Sequence, residues 1–258
     1  MSRRTARIAF TVDLEQDAPP FLDTYRGAEE GMPRLVALLR AAGVRATVFA
    51  TGEVARRYPA LVRAIVADGH ELGCHGDTHR AFDRMSDADA AAEIARSSEA
   101  LRAFAPVTAF RAPYLRLPSR HLALLRGAGY RVDSSEGAYK GLRIRAREEA
   151  GLARVPASLT SSVLRLPSPL RRAALALVRE PAVLFVHPWE LVDLRAMPIR
   201  WDCRAGTGEH AERSIADTLA DLQRRGATFH TIGALVEERG REDARDEAHE
   251  RDGNEAHR

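Results

Sequence analysis

Short apolar runs of β type alternate with helical patterns along most of the chain, and this alternation constrains the fold more than any other feature. The run ARIAFTVD (6–13) predicts a first strand. The apolar spacing that follows, with Pro33 in the first turn and Gly43 as a stop, predicts a helix. Such units build a parallel sheet covered by helices, so we predict an α/β fold.

Further strands and helices follow the same pattern. The predicted strands are RATVFATG (45–52), HELGCHG (70–76), TAFRAPY (108–114), YRVDSS (130–135), PAVLFVHPWE (181–190) and ATFHTI (227–232). Helices are predicted over 86–104, with Ser86 as cap, and over about 210–225. Residues 136–165 fit no element and are interpreted as a long active-site loop or insertion. One domain is therefore expected over residues 1–239, followed by a charged, disordered tail over 240–258.

Charge and composition limit the partners. Basic and acidic residues number 39 and 36, so the net charge is only +3, and the basic residues are scattered. This argues against nucleic acid as a partner. The sequence contains no run of 18 apolar residues, so it predicts no transmembrane segment. Acidic residues arrive by Asp13, before any secretory apolar segment develops, so we expect a cytoplasmic protein.

The two cysteines stand in unlike contexts, which favours reduced thiols over a disulfide. Cys74 directly precedes His75, and adjacent strand residues point to opposite faces. If His75 faces a site, Cys74 should face the core.

A histidine pair in the stretch GCHGDTH indicates a metal site. His75 and His79 stand four residues apart, and Gly76 allows the backbone to curl between them. Two imidazoles and one carboxylate would bind a divalent ion and leave positions open for water and substrate. The stretch TVDLEQD, at the end of the first strand, offers Asp13, Glu15 and Asp17 as the carboxylate. A surface loop that carries two of the nine histidines is the alternative.

Polar residues also collect at the carboxyl ends of the predicted strands. Five of them fall there, namely Asp13, His75, Arg111, Asp133 and His187. In parallel α/β architectures this edge of the sheet is where loops build active sites. The five positions therefore predict a single pocket.

The motifs TVDLEQD, HGDTH, FRAPY, YRVDSS and LFVHPWE, in this order, resemble the five motifs of polysaccharide deacetylases with the NodB homology domain, a carbohydrate esterase 4-like family. The resemblance runs from about residue 7 to residue 235. It implies a single-domain deformed (β/α) barrel. It also implies metal-dependent hydrolysis of an N-acyl group, usually an acetyl group on an amino sugar.

Catalytic roles follow from the resemblance, motif by motif. Asp13 matches the general base, and Arg111 matches the arginine that orients it. Tyr114 matches the residue whose backbone N–H helps to bind the oxyanion. His187 matches the general acid, and Asp133 matches the acid that holds this histidine.

Metal ligands follow in the same way, with Glu15, His75 and His79 at the three ligand positions. The family usually has Asp where this chain has Glu15, so the longer side chain is a departure and Asp17 remains an alternative ligand. Zn²⁺ is the expected cofactor, with Co²⁺ or Ni²⁺ as alternatives.

Substrate contacts are expected from Tyr114 and from two further residues, Trp189 and Arg26. Tyr114 and Trp189 are interpreted as a sugar-stacking wall or as core aromatics. The run RGAEEGMPRL places Arg26 near the pocket and is similar to a run in a subfamily that deformylates a lipid-linked aminopentose. Other hydrolases of the superfamily share part of this run, so it does not select a substrate.

The sequence therefore predicts a metal-dependent amidohydrolase of the polysaccharide deacetylase type. We expect it to remove an acetyl group from an N-acetylated amino sugar, in a glycan or a smaller precursor. The alternative is a deformylase or another C–N hydrolase, acting on a cyclic imide or amide or on a small or lipid-linked substrate. A third hypothesis, a metal-free carbohydrate-binding pseudoenzyme, is supported only by the Glu15 departure.

Overall fold

A computed structural model describes residues 6–140, 145–178 and 180–242 of the 258-residue chain. Within these residues, nine strands form one sheet in the order β6-β7-β5-β4-β3-β2-β1-β8, and β9 also pairs with β1. The strands are β1 (Arg7–Leu14), β2 (Thr47–Ala50), β3 (Glu71–Cys74), β4 (Ala109–Phe110), β5 (Val132–Asp133), β6 (Arg147–Glu149), β7 (Leu152–Arg154), β8 (Ala182–Val186) and β9 (Thr228–His230). All neighbouring strands are parallel except β6 and β7.

The two ends of this sheet approach each other, which makes the fold a deformed barrel. Ser158, which follows β7, donates its backbone N–H to the carbonyl of Val183 in β8 at 2.8 Å, and the Ser158 hydroxyl oxygen accepts the N–H of Val183 at 2.9 Å. The predicted α/β fold with a deformed barrel is confirmed.

Helices cover the outer face of the sheet. They are α1 (Met32–Ala41), α2 (Gly52–Arg57), α3 (Pro59–Ala67), α4 (Asp87–Arg102), α5 (Leu122–Gly127), α6 (Ser161–Leu164), α7 (Ser168–Ala176), α8 (Trp201–Arg204) and α9 (Glu209–Arg224). The Ser86 side chain accepts the backbone N–H of Asp89, so the predicted cap of α4 is present.

The structure adds detail to two parts of the organisation. The described part of segment 136–165 contains β6, β7 and α6, so of the two interpretations it fits an insertion rather than a loop. A final helical run extends over residues 232–242, so 240–242 continue a helix rather than begin a tail. The rest of the predicted tail lies outside the described residues.

Alternation along β1 separates two cores. Ile8, Phe10, Val12 and Leu14 belong to the large outer core beneath the helices. Ala9 belongs to a smaller core inside the barrel. Because side chains alternate along a strand, the odd-numbered residues of β1 face the barrel interior.

The same rule places Cys74 as predicted. Cys74 is fully buried in the outer core, where its thiol contacts the Ser97 hydroxyl at 3.2 Å. Cys74 and Cys203 are both free thiols. In the described part of the chain, no helix has the length and apolar character needed to cross a membrane.

Candidate active site

Alternation along several strands brings the site residues to the barrel interior. Asp13 and Glu15 share the face of Ala9, an interior core residue, since all lie an even number of residues apart. Arg111 shares the face of Ala109 on the continuation of β4, and His187 shares the face of Val183 beyond β8. These positions meet at the carboxyl ends of parallel strands.

Glu15, His75 and His79 form a buried cluster. Glu15 Oε2 lies 3.0 Å from His75 Nε2 and 2.6 Å from His79 Nε2. One potential ligand atom from each residue lies within 4.8 Å of the others. The Glu15 side chain is therefore long enough to reach both imidazoles. Asp17 does not join the cluster, so the carboxylate of this site is Glu15.

The hydrogen bonds of His75 fit a bound cation. Its Nδ1 lies 2.7 Å from the carbonyl oxygen of Arg111, which can only accept, so Nδ1 carries the proton. Nε2, on the other side of the ring, points to the Glu15 carboxylate, and in a neutral ring it would offer its lone pair to a cation bound there. Two nitrogens and one carboxylate oxygen are a donor set suited to zinc and similar divalent ions. Glu15, His75 and His79 would hold the ion.

Electrostatic interactions keep Glu15 ionised. Burial by itself raises the pKa of this carboxyl. The charges of His79 and His187, with hydrogen bonds from His75 and His79, outweigh burial and lower the pKa of Glu15 well below its usual value. The cluster therefore presents an anionic oxygen between imidazoles.

Asp13 is fixed by a fully buried arginine. Arg111 Nη1 donates to Asp13 Oδ1 at 2.7 Å and to the Thr11 hydroxyl at 2.8 Å. Nη2 of the same guanidinium donates to the Ser134 hydroxyl at 2.9 Å, and the group lies over the Phe49 ring at 4.3 Å. Arg111 thus holds the Asp13 carboxylate in one orientation, as the sequence predicted.

Glycine at position 73 makes room for this packing. A Cβ atom on Gly73 would lie 2.5 Å from Cδ1 of Phe49, the ring that supports Arg111. Any larger residue would displace Phe49 and with it the support of the guanidinium.

His187 lies beside the cluster, with its two ring nitrogens in different surroundings. Nε2 is 3.7 Å from Glu15 Oε1, and Nδ1 is 2.7 Å from Glu190 Oε1. Burial lowers the pKa of His187, but the charges of Glu15 and Glu190 outweigh this effect and raise the pKa to about 9. The imidazole is thus charged at neutral pH.

Glu190 is a site residue that the sequence prediction missed. Its side chain is fully buried, and Arg165 Nε lies 3.0 Å from its second oxygen. Because a short 3₁₀ turn over Pro188–Leu191 follows His187, the three-residue spacing brings Glu190 back to Nδ1. The spacing in HPWE is the signal that could have revealed this pair.

The predicted pairing of Asp133 with His187 is wrong. Asp133 accepts hydrogen bonds from Arg154 Nε at 2.8 Å and from the Ser135 hydroxyl. The reason is alternation along β5. Val132 lies in the inner core and Ser134 contacts Arg111, so Asp133 between them points to the other face.

Tyr114 lies against the cluster. Its ring meets the His79 ring edge-on, with centroids 4.8 Å apart. Tyr114 (φ 60°) and His79 (φ 56°) both adopt left-handed backbone conformations, which are strained for non-glycine residues and concentrate at functional sites. Lys140 Nζ donates to the Tyr114 carbonyl at 3.1 Å and braces this turn.

Trp189 and Arg26 do not have the substrate-facing positions that were expected. Trp189 is only 5% exposed; it stacks on His187 at 4.7 Å and directs Nε1–H toward Glu15 Oε1 at 3.4 Å. Trp189 therefore packs beneath the site residues His187 and Glu15 and does not form an exposed surface on which a sugar could stack. Arg26 pairs instead with Glu30 on the surface at 2.8 Å.

The run RGAEEGMPRL is structural. Asp17 accepts backbone N–H bonds from Arg26 at 2.8 Å and Gly27 at 2.7 Å. A Cβ on Gly27 would lie 2.6 Å from the Trp189 nitrogen, and one on Gly31 would lie 2.0 Å from the Pro188 oxygen. The run therefore packs directly on the backbone that carries His187.

Comparisons with known proteins find deacetylases. Residues 6–132 match the polysaccharide deacetylase family. A chitin deacetylase from Colletotrichum lindemuthianum is 33% identical over 129 residues, which cover 47% of this chain and 48% of the relative. A chitooligosaccharide deacetylase from Bradyrhizobium is 26% identical over 212 residues, covering 79% of this chain and 83% of the relative. The chain thus spans about half the length of the chitin deacetylase.

Solved structures share the fold. The Bc1960 peptidoglycan N-acetylglucosamine deacetylase superposes with a TM-score of 0.61 at 19% identity, covering 90% of this chain and 88% of that one. Together with the sequence matches, this confirms the resemblance to the polysaccharide deacetylase family.

Proposed function

We propose that this protein is a metal-dependent hydrolase that removes the acetyl group from an N-acetylated amino sugar. One observation carries the proposal. The cluster of Glu15, His75 and His79 adjoins two further groups: Asp13, two residues before Glu15 on the same face of the chain, and His187, whose Nε2 lies 3.7 Å from Glu15. Amide hydrolysis needs a base for water and an acid for the leaving amine, and both lie beside the proposed ligands.

The first half of the reaction uses Asp13. A divalent cation held by Glu15, His75 and His79 would supply Lewis-acid chemistry and a more acidic water. Asp13 then accepts a proton from the water that attacks the acyl carbon. Arg111 keeps the carboxylate oriented for this transfer through the 2.7 Å bond. The backbone N–H of Tyr114 is the proposed donor to the oxyanion that develops.

The second half uses His187. As the C–N bond breaks, Nε2–H donates its proton to the departing nitrogen, which leaves as an amine while the acyl group leaves as acetate. Glu190 holds Nδ1–H, so that the ring presents Nε2 to the site. The donor nitrogen is thereby the one nearest the cluster.

A substrate panel tests the proposal. Purified protein loaded with zinc, cobalt or nickel is incubated with N-acetyl, N-formyl and cyclic-imide substrates, and acetate and formate are measured separately. We expect acetate from N-acetylated amino sugars, and loss of turnover after chelation. The attack step is the same for acetyl and formyl groups, so the released acid distinguishes the two functions. Formate as the main product would favour the deformylase alternative.

Cation content separates an enzyme from a binding protein. We expect about one divalent ion per chain after loading, lost in Glu15→Ala. Substoichiometric metal that Glu15→Ala does not change, together with no turnover, would favour the carbohydrate-binding pseudoenzyme. A cytoplasmic location stays a prediction that cell fractionation tests.

A further inference from the structure

A pocket of about 430 Å³ opens directly beside the cluster, and the charged residues that line it are positive. His79 and Tyr114 form its inner side, and three arginines, Arg80, Arg84 and Arg116, line the rest together with apolar groups. None of the lining residues is acidic. A cleft lined by one sign of charge concentrates ligands of the opposite sign.

The arginines of this pocket lack full charge partners. Within the ranges that the structure describes, the Arg80 and Arg84 guanidinium groups have no ion pair or hydrogen bond. Arg116 has Asp83 at 3.6 Å, a loose contact between exposed groups. The exposed Arg40, by comparison, pairs with Asp68 at 2.6 Å, whereas Arg45 and Arg131, also exposed, have no ion pair among the described residues.

Tyr114 links these cations to the cluster. Burial and the negative charge of Glu15 raise the pKa of its phenol group, and the positive charges of Arg116 and Arg84 act against this rise. The Lys140 ammonium, bonded to the carbonyls of Tyr114 and Leu115, adds a fourth cation near this turn. A ligand in the pocket is therefore next to His79, a member of the cluster, and to the three arginines.

We propose that this pocket binds a phosphate group carried by the substrate sugar, with Arg80, Arg84 and Arg116 as its ligands. The substrate is then an N-acylated amino sugar that bears a phosphate ester or diphosphate rather than a neutral polysaccharide. The guanidinium fork matches phosphate oxygens in bidentate geometry, and several unpaired forks suit a dianion better than one carboxylate. The identity of the sugar rests on the proposed function, whereas the anion site does not.

Binding to the metal-free full-length protein tests the anion site without any turnover. Titration calorimetry compares N-acetylglucosamine 6-phosphate, N-acetylglucosamine 1-phosphate and UDP-N-acetylglucosamine with N-acetylglucosamine, which is neutral. We expect a phosphorylated ligand to bind roughly tenfold more tightly or better, with affinity falling as salt increases. Equal affinity for neutral and phosphorylated sugars would overturn the proposal. Inorganic phosphate that binds as tightly as every sugar phosphate would overturn the substrate assignment.

Variants identify the residues. Arg84→Gln and the double change Arg80→Gln with Arg84→Gln should weaken phosphate binding by roughly tenfold and roughly a hundredfold, while neutral sugars are unaffected. Arg213→Gln is the matched control, because Arg213 is an exposed arginine on α9 that pairs with Glu209. Equal losses in control and pocket variants would contradict a local site.

Activity distinguishes the two proposals. Loaded protein is assayed on N-acetylglucosamine phosphates, neutral chitooligosaccharides and N-acetylmuramic acid. Arg84→Gln should lower kcat/KM for phosphorylated substrates by roughly tenfold and leave the neutral ones unchanged. Selective phosphate binding without hydrolysis of any substrate would overturn the proposed function and leave the anion site standing. Hydrolysis of neutral sugars with no preference for phosphorylated ones would support the proposed function and overturn the anion site. Preference for N-acetylmuramic acid would overturn the phosphate assignment.

Discussion

Replacement of Glu190 by Gln tests the central assignment that the structure added. The change removes the negative charge 2.7 Å from His187 Nδ1 but keeps the shape of the side chain. Arg165 retains acceptors, because its guanidinium also donates to the carbonyls of Asp202 at 2.9 Å and Cys203 at 3.1 Å. The fold should therefore survive the substitution.

The size of the effect follows from this hydrogen bond. A hydrogen bond to a charged group contributes roughly 1.5–3 kcal/mol, and about 1.36 kcal/mol corresponds to one pKa unit. Loss of the Glu190 charge should lower the pKa of His187 from about 9 by roughly one to two units. At pH 8, the protonated fraction then falls from about nine-tenths to between about a half and a tenth.

The direction of the His187 pKa shift affects protein stability as well as reaction rate. The folded-state pKa of His187 is raised to about 9 from its ordinary 6.5. The protonated ring therefore stabilises the fold fully below the ordinary value, and this contribution is lost as pH rises through about 9. In the loaded enzyme, catalysis by His187 as an acid is lost as pH rises through the pKa that the ring has there, and in Glu190→Gln both losses begin at lower pH.

Two measurements decide the outcome. NMR titration of the metal-free protein follows the His187 ring directly, and the pH profile of kcat/KM in loaded enzyme gives the alkaline limb. The matched control is Asp133→Asn, which removes another buried carboxylate, the one that the sequence assigned to His187. We expect Glu190→Gln to lower the midpoint of the NMR titration and that of the alkaline limb of the kcat/KM profile. Asp133→Asn should shift neither midpoint. The opposite pattern would refute the assignment of Glu190.

Three further predictions concern the carboxylates around the site. Asp13→Asn should keep a bound cation but lose at least about 100-fold in kcat/KM, because the geometry survives while the base does not; steady-state kinetics and metal analysis measure both. Glu15→Ala should lose stoichiometric cation binding, measured by mass spectrometry of loaded protein, whereas Glu30→Ala, a surface control paired with Arg26, should not. Asp17→Ala should lower the free energy of unfolding by about 2–4 kcal/mol in urea denaturation, because it leaves buried N–H donors unpaired.

Each of these has a contrary result. Near-wild-type turnover in Asp13→Asn would remove Asp13 from the role of base. Unchanged cation content in Glu15→Ala would place the carboxylate ligand elsewhere. An Asp17→Ala protein as stable as the wild type would show that the loop before α1 does not depend on this carboxylate.

Several features were predictable because they depend on local periodicity. Alternation of short apolar runs with helical patterns indicated the parallel sheet, and the placement of Cys74 in the outer core followed from its position next to His75. The ordered motifs indicated that Glu15, His75 and His79 meet, and they do. Such features are visible in sequence because each depends on which face of one strand a residue occupies.

Other features required the tertiary structure. Whether Asp133 or Glu190 contacts His187 depends on which face of β5 turns inward and on the path of the turn after β8. The phosphate pocket depends on arginines from separate segments, Arg80 and Arg84 beside the histidine loop and Arg116 after β4. Sequence fixes the chemical type of each side chain and its periodic face, but partners across the fold are set by strand order, sheet curvature and loop paths. The packing of many distant residues decides those together.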